Sequence, residues 1–256
     1  MSERPEQNAK RKPRTLCVTN CKVLSPNMRR ITLQGDDLSD FPPDQESGYI
    51  KLLLPCPGED PFVRTYTIRK QRSAINEIDV DFALHKGDAP ASNWAASTKP
   101  GDEIVITGPG AKKLVTPNAD WYFLAGDMTA LPALSVNLET LDADAKGYAV
   151  IEVLDEKDIR ALNAPSGFEL HWVINPTPGS GAFPLVEKVV SLDWLEGRVS
   201  AWAACEFSSM QRLRTYFKKE RQVEREHLYI SSYWKLGVSE DQHKRIKRKD
   251  SEENED

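Results

Sequence analysis

Between Thr15 and Val115 apolar and polar residues alternate in six short segments: LCVTNCKVLS (16–25), MRRITLQG (28–35), YIKLLLP (49–55), VRTYTIRK (63–70), EIDVDFAL (77–84) and EIVITGP (103–109). A period of two sends successive side chains to opposite faces, and the Pro, Gly, Asn and Asp clusters between segments are turn formers. The pattern predicts an all-β barrel or sandwich. After Asp120 the pattern changes to apolar strands separated by helical stretches, the signature of a parallel sheet with crossover helices. WYFLAG (121–126), YAVIEVL (148–154), ELHWVI (169–174), VSAWAAC (199–205) and HLYISSYWKLG (227–237) are the predicted strands. Thr129 is placed to cap a helix whose Leu131, Leu134, Leu138 and Leu141 share one face. Ser208 with Gln211 reads as a capping box for another helix, with Met210, Leu213 and Phe217 as its buried stripe.

The ends differ from these two domains. Residues 1–14 are polar and basic at their end and read as a flexible leader, so the expected divisions are a β domain over 15–117 and an α/β domain over 118–237. Residues 238–256 form a charged tail, a basic block followed by an acidic one, expected as a short exposed helix or a disordered segment. With 39 acidic against 34 basic residues and a net charge of -5, the 256-residue chain lacks the basic excess of a nucleic-acid binder. An anionic partner must therefore be met by a local basic patch. Four cysteines at 17, 21, 56 and 205 show neither CxxC nor paired spacing, so no zinc or iron–sulfur site is expected. The sequence shows no signal-peptide stretch and no bilayer-length apolar run, which predicts a cytoplasmic protein without membrane contact. No long apolar stripe calls for a dimer, and a monomer is expected.

Candidate chemistry begins at Arg64-Thr65-Tyr66-Thr67-Ile68-Arg69. On a strand, Arg64 and Tyr66 share one face and Thr67 takes the other. A flavin dinucleotide needs a cation for its pyrophosphate, a flat apolar surface for its ring and a donor near the ring nitrogen, and these three residue types supply them. The competing reading is a barrel strand with polar outer residues. Asp81 to Trp94 runs from a strand through a Gly/Pro loop into a helix beginning near Ala91, whose amino end can seat a phosphate with Ser92 as an added donor. His85, at the strand's end, is either a cofactor contact or a structural histidine, and Trp94 reads as packing. Gly126-Asp127-Met128-Thr129 ends the first parallel strand, where α/β sheets bind ligands. Thr129 there is a ligand contact or simply an N-cap.

The ordered combination of RxYTxR, LHxG…PASxWA, GDxTALPA and WxACE…LRxY…YWxxG, covering about Arg14 to Gly237, resembles the siderophore-interacting proteins, FAD-dependent ferric-siderophore reductases of the ferredoxin-reductase-like fold. The resemblance implies a six-stranded antiparallel β-barrel binding FAD, followed by an α/β domain for NADH or NADPH. It places Arg64, Tyr66 and Thr67 on the flavin, with Thr65 and Arg69 on the same strand. Asp81, Phe82, His85, Ala91 and Ser92 lie around the ring edge and phosphates, and Thr129 meets the cofactor from the second domain. The family commonly shows AGE where this chain has Ala204-Cys205-Glu206, GYW at Ser232-Tyr233-Trp234, and an arginine near Ser135, Val136 and Asn137. Those departures leave NAD(P)H and reduced ferredoxin open as donors. The implied substrate is an anionic ferric siderophore, drawn by a basic rim from Lys51, which matches a family substrate lysine, then Lys235, then the tail residues Lys244, Arg245, Lys247, Arg248 and Lys249. A siderophore-binding protein without catalysis is the alternative from another class.

Overall fold

The computed structural model describes residues 12–254 except 57, 59 and 86–88. The first eleven residues of the expected leader lie outside the described residues. The chain divides into two compact units, Met1–Lys113 and Leu114–Asp256. At the leader's end, Arg14 is not free: it opens β1 (Arg14–Ser25), is fully buried, and donates to the Asp37 carbonyl and the Asp40 carboxylate. A basic residue that alternates in register with Leu16 and Val18 belongs to the strand, and the charge alone disguised it.

The first unit is a closed antiparallel barrel. β1 is followed by β2 (Met28–Gln34), β3 (Tyr49–Leu54), β4 (Phe62–Arg72), β5 (Glu77–Ala83) and β6 (Glu103–Gly110), in the order β1-β2-β5-β4-β3-β6. Alternation sends Ile50, Leu52 and Leu54 of β3 and Ile78, Val80 and Phe82 of β5 into the core. α1 (Pro90–Ser97) starts with proline at its first position and packs Ala91 and Ala95 against that core. Its far end is closed by Arg29, whose guanidinium donates to the carbonyls of Ala95, Ala96 and Thr98 at 2.6, 2.6 and 2.9 Å. Those are the orphan acceptors of a helix C-terminus.

The second unit is a five-stranded parallel sheet in the order β11-β10-β7-β8-β9, made of β7 (Trp121–Gly126), β8 (Lys146–Val153), β9 (Gly167–Ile174), β10 (Val199–Glu206) and β11 (Leu228–Trp234). α2 (Leu131–Thr140) follows β7, with Ala130 and not Thr129 at its N-cap position, and Leu141 falls beyond its end. The Thr129 hydroxyl is instead turned onto Asp127 at 2.6 Å. α3 (Pro184–Ser191), opened by a proline and burying Leu185 and Val189, was not marked by the sequence pattern. α4 (Phe207–Thr215) buries Met210 and Leu213 as expected, and Phe217 beyond it is buried too. Its cap is Glu206, which accepts from Ser208 N and Ser209 N at 2.5 and 3.4 Å, so the expected Ser208 box is displaced by two residues.

The charged tail is part of this unit. α5 (Glu240–Asn254) buries His243 and Asp250. Arg214 of α4 pairs with Asp250 at 2.6 Å, Gln211 donates to the same carboxylate at 2.9 Å, and the His243 ring meets the Ser232 hydroxyl at 2.9 Å. An otherwise polar helix is thus held by buried polar partners, which hydropathy alone does not reveal.

Candidate functional site

In the barrel, β3 and β4 pair with Ile50 opposite Tyr66, Leu52 opposite Arg64, Tyr49 opposite Thr67 and Lys51 opposite Thr65. Directly opposed residues share a face, so Arg64 and Tyr66 lie on one side of the sheet and Thr65 and Thr67 on the other with Lys51. The half-buried Tyr66 ring rests on Phe82 with centroids 4.3 Å apart, and Phe82 in turn meets Trp94 of α1 at 5.5 Å. Phe82 is fully buried, so Tyr66 is a partly open ring fixed from behind by two further aromatics. Such a ring is a flat apolar platform with little freedom to move. Arg64, two residues before it, holds its guanidinium 5.4 Å from the Phe62 ring. Arg69 is half-buried next to the irregularity between Ile68 and Lys70 where β4 shifts register on β5.

Asp81 lies on β5 between the core residues Val80 and Phe82 and so faces away from the barrel interior. Its buried carboxylate is gripped by Arg30, with Nε to Oδ1 at 2.6 Å and Nη2 to Oδ2 at 2.9 Å. Beside it Asp79 accepts from Thr32 at 2.8 Å and from Arg72 at 2.6 and 2.9 Å, and these hydrogen bonds and charges hold its carboxyl below the ordinary range against burial. The structure therefore separates Asp81 from the Tyr66–Phe82 face. His85 and Ser92 are brought together: the Ser92 hydroxyl accepts from His85 N at 3.0 Å and donates to His85 O at 3.1 Å. That clamp ties the end of β5 to the first turn of α1, beside the buried Ala91, and leaves the His85 side chain exposed.

Lys51 lines a cavity of about 290 Å³ with Tyr49, Thr107, Gly108, Pro109, Gly110 and Ala111. The Tyr49 ring lies directly over Gly110, where a Cβ would stand only 2.0 Å from the ring. Glycine is thus required for that wall. The other two basic candidates are engaged within the second unit. The Lys235 ammonium sits 4.5 Å from the centre of the Phe207 ring, and Arg248 pairs with Glu252 at 2.9 Å. On α5, Lys244 pairs with Glu240 at 3.1 Å and Lys249 with Glu253 at 3.7 Å, so acidic residues one turn away offset the basic block.

At the carboxyl edge of the parallel sheet three buried acids gather that sequence reasoning left without a role: Asp127 after β7, Glu152 in β8 and Glu206 closing β10. Thr129 donates to Asp127 through both its amide at 2.9 Å and its hydroxyl at 2.6 Å, and Trp234 Nε1 donates to the other oxygen at 2.8 Å. Burial pushes the Asp127 carboxyl up, with those donors opposing. Glu152 accepts from Asn175 at 3.0 Å and is pushed up to about 7, first by burial and then by the charges of Asp127 and Glu206. Cys205 is buried among the same acids, which with burial hold its thiol well above its usual range. Acidic residues one or two places from the ends of three apolar strands were the available signal.

Residues 17–62 and 55–113 match the family model of the siderophore-interacting FAD-binding domain, and residues 119–237 match that of the siderophore-interacting protein. The chain is 32% identical over 249 residues to the ferric vibriobactin reductase ViuB of Vibrio cholerae, spanning 90% of this chain and 92% of that one. It is also 29% identical over 193 residues to the ferric acinetobactin reductase of Acinetobacter baumannii, spanning 74% and 67%. Among solved structures, the siderophore-interacting protein SipS from Aeromonas hydrophila superposes with a TM-score of 0.85 at 35% identity, over 94% of this chain and 99% of that one. The ferredoxin-NADP+ reductase of Plasmodium falciparum shares the fold, with a TM-score of 0.63 at 14% identity over 87% and 97% of the two chains.

Proposed function

The chain belongs to the siderophore-interacting protein family, and from that premise we propose that it is an FAD-dependent ferric-siderophore reductase. The observation that carries this reading is the half-open Tyr66 ring, braced by Phe82 and Trp94 on the strand face it shares with Arg64. These residues fit FAD by their chemistry. Tyr66 offers the apolar plane for the isoalloxazine ring, Arg64 the cation for the pyrophosphate, and the amino end of α1 a set of unpaired N–H donors. Thr67 and Thr65 carry hydroxyl donors on the other face of the same strand. When bound, FAD supplies the chemistry of accepting two electrons as hydride and passing them on singly.

The protein's own part is binding and charge. The Ser92–His85 clamp and the Arg29 cap hold α1 at both ends, so its donors are fixed before a ligand arrives. A ferric siderophore with anionic oxygen donors is drawn by Lys51, the cavity residue on the face of Thr65 and Thr67. Reduction to ferrous iron weakens its hold on such hard oxygen donors, and no protein ligand to the iron is needed for electron transfer. The donor assigned first is NADH or NADPH, seated at the carboxyl edge of the parallel sheet. A second reading, reduced ferredoxin as donor, is favoured by the side chains of Cys205 and Ser232, buried where the family commonly has glycine.

The test is the visible spectrum of the purified protein, followed anaerobically through additions of NADH, NADPH, reduced ferredoxin and a ferric siderophore. Flavin bands that bleach with a nucleotide and return with the ferric complex are expected. Bleaching by ferredoxin alone moves the donor to the second reading. Protein that neither carries nor takes up FAD would overturn the enzyme assignment.

A further inference from the structure

The opposite edge of the parallel sheet carries a group that the reductase reading does not use. A short 3-10 turn, Arg225–His227, leads into β11, with Glu224 as its N-cap residue and the His227 amide donating to the Glu224 carbonyl at 2.9 Å. Glu224 and Glu226 are exposed, whereas His227 is only 6% exposed. One donor atom from each of the three side chains lies within 4.8 Å of the others. Nδ1 of the imidazole is buried without a hydrogen-bond partner, and Nε2 faces the Glu226 carboxylate at 3.8 Å. The orphaned Nδ1 costs on the order of 1–3 kcal/mol, and Nε2 is the nitrogen turned toward a carboxylate.

We propose that Glu224, Glu226 and His227 bind a divalent first-row transition-metal ion at the amino end of β11. Two carboxylates and one imidazole form a mixed oxygen–nitrogen set that suits Zn(II), Co(II), Mn(II) or Fe(II), while the imidazole disfavours Mg(II) and Ca(II). Bound at about 2.0–2.2 Å, ligand atoms in a tetrahedral shell stand about 3.3–3.6 Å apart, so the group must close by up to about 1.5 Å. The two glutamates are free in solvent to make that change by side-chain rotation, with water completing the shell. The Glu226 carbonyl also accepts from the Thr116 hydroxyl at 2.5 Å, and Thr116 N donates to Ser200 of β10 at 2.9 Å. Those hydrogen bonds hold the turn in place beside β10. Leu228, next to the site, pairs with Ala201, whereas Cys205 and Trp234 mark the other end of β10 and β11. Flavin content is accordingly independent of it.

The experiment is equilibrium dialysis of the FAD-loaded full chain against Co(II) at pH 7.5, with bound metal measured by atomic emission and flavin by absorbance. One Co(II) per chain is expected, displaced by Zn(II) and not by a large excess of Mg(II). His227→Ala is expected to abolish this uptake, and Glu226→Gln and Glu224→Gln each to weaken it by at least roughly tenfold, with flavin content unchanged. Because His227 is buried, its variant alone does not decide the matter; the two exposed glutamine variants remain folded and carry the test. No saturable uptake up to about 1 mM, or uptake that survives all three substitutions, overturns the proposal.

Discussion

Replacing Arg30 by methionine separates a structural from a cofactor role for Asp81. The Asp81 side chain is wholly removed from solvent, and Arg30 engages both of its oxygens at 2.6 and 2.9 Å. Breaking a buried pair by removing one partner costs about 3–5 kcal/mol, because a charge is left in a poor dielectric. Arg30 keeps 26% of its side-chain surface in water, so solvent reaches the vacancy and the low end, about 3 kcal/mol, applies. Asp79 adds little, since it keeps Arg72 and Thr32. The double change Arg30→Met/Asp81→Leu removes both charges and is expected within about 1 kcal/mol of the parent. The assay is native-state hydrogen exchange on β2 and β5, which reports the barrel's own opening free energy. A single variant within about 1 kcal/mol of the parent, or a double variant as damaged as the single, refutes the argument. Flavin retained by the double variant at parental levels would complete the case that Asp81 serves the barrel.

Tyr66→Ala removes both the platform and the contact with Phe82, and FAD affinity measured by fluorescence titration should fall by about 1–3 kcal/mol, roughly 5- to 150-fold. Lys51→Ala should raise the apparent constant for an anionic ferric siderophore about two- to fivefold at low salt with flavin intact, whereas Arg248→Ala, already paired on α5, should leave it unchanged. Glu152 has a folded-state value raised to about 7, so the stability linked to its proton is present below about 4.5 and is lost as pH rises through 7. Glu152→Gln should therefore stabilise the chain by up to about 3 kcal/mol at pH 8 and little at pH 4, read by urea titration at each pH. His243 has the opposite sign: burial and nearby lysines lower it to about 4, so its contribution is present above about 6.5 and is lost as pH falls through 4. His243→Gln should flatten that acid limb, and an unchanged acid limb would show that the ring is not held neutral.

The eleven strands of the described residues were legible because apolar alternation or an apolar run marks much of each. Caps were less legible. Ser208 has the right residue type, but Glu206, two places earlier, reaches the same amides because the chain leaves β10 with no intervening turn. α3 was missed because it is a short helix following a Gly/Pro-rich segment; α5 was open as a short exposed helix or a disordered segment, and its packing was not foreseen because it rests on His243 and Asp250, residues that hydropathy counts as solvent-facing. At the barrel site, strand periodicity placed Arg64, Tyr66 and Lys51 on their faces. It could not place Asp81, since the partner that claims it, Arg30, lies on a strand about fifty residues away and is found only through the β2–β5 register. Ser92 was legible as a polar residue in the first turn of α1, and its use on the His85 backbone was not.

The carboxyl edge of the parallel sheet bears most directly on the electron donor. Asp127 is held by Thr129 and Trp234, Glu206 is spent on capping α4 and on Leu236 N at 3.3 Å, and Glu152 lies close enough to both for their charges to raise it. These acids are buried, so their field is poorly screened, and it opposes the pyrophosphate of any nucleotide seated at these strand ends. A neutral Glu152 reduces that field by one charge. A nicotinamide donor should therefore bind better as pH falls below about 7, and Glu152→Gln should remove that pH dependence while raising nucleotide affinity at pH 8. A protein donor that passes electrons without placing a pyrophosphate there escapes this constraint. The pH dependence of the Michaelis constant for the nucleotide, compared between the parent and Glu152→Gln, thus reads the donor question through a residue that need not touch the flavin. A constant that is flat from pH 6 to 8 in both proteins would mean that no nucleotide phosphate approaches these acids.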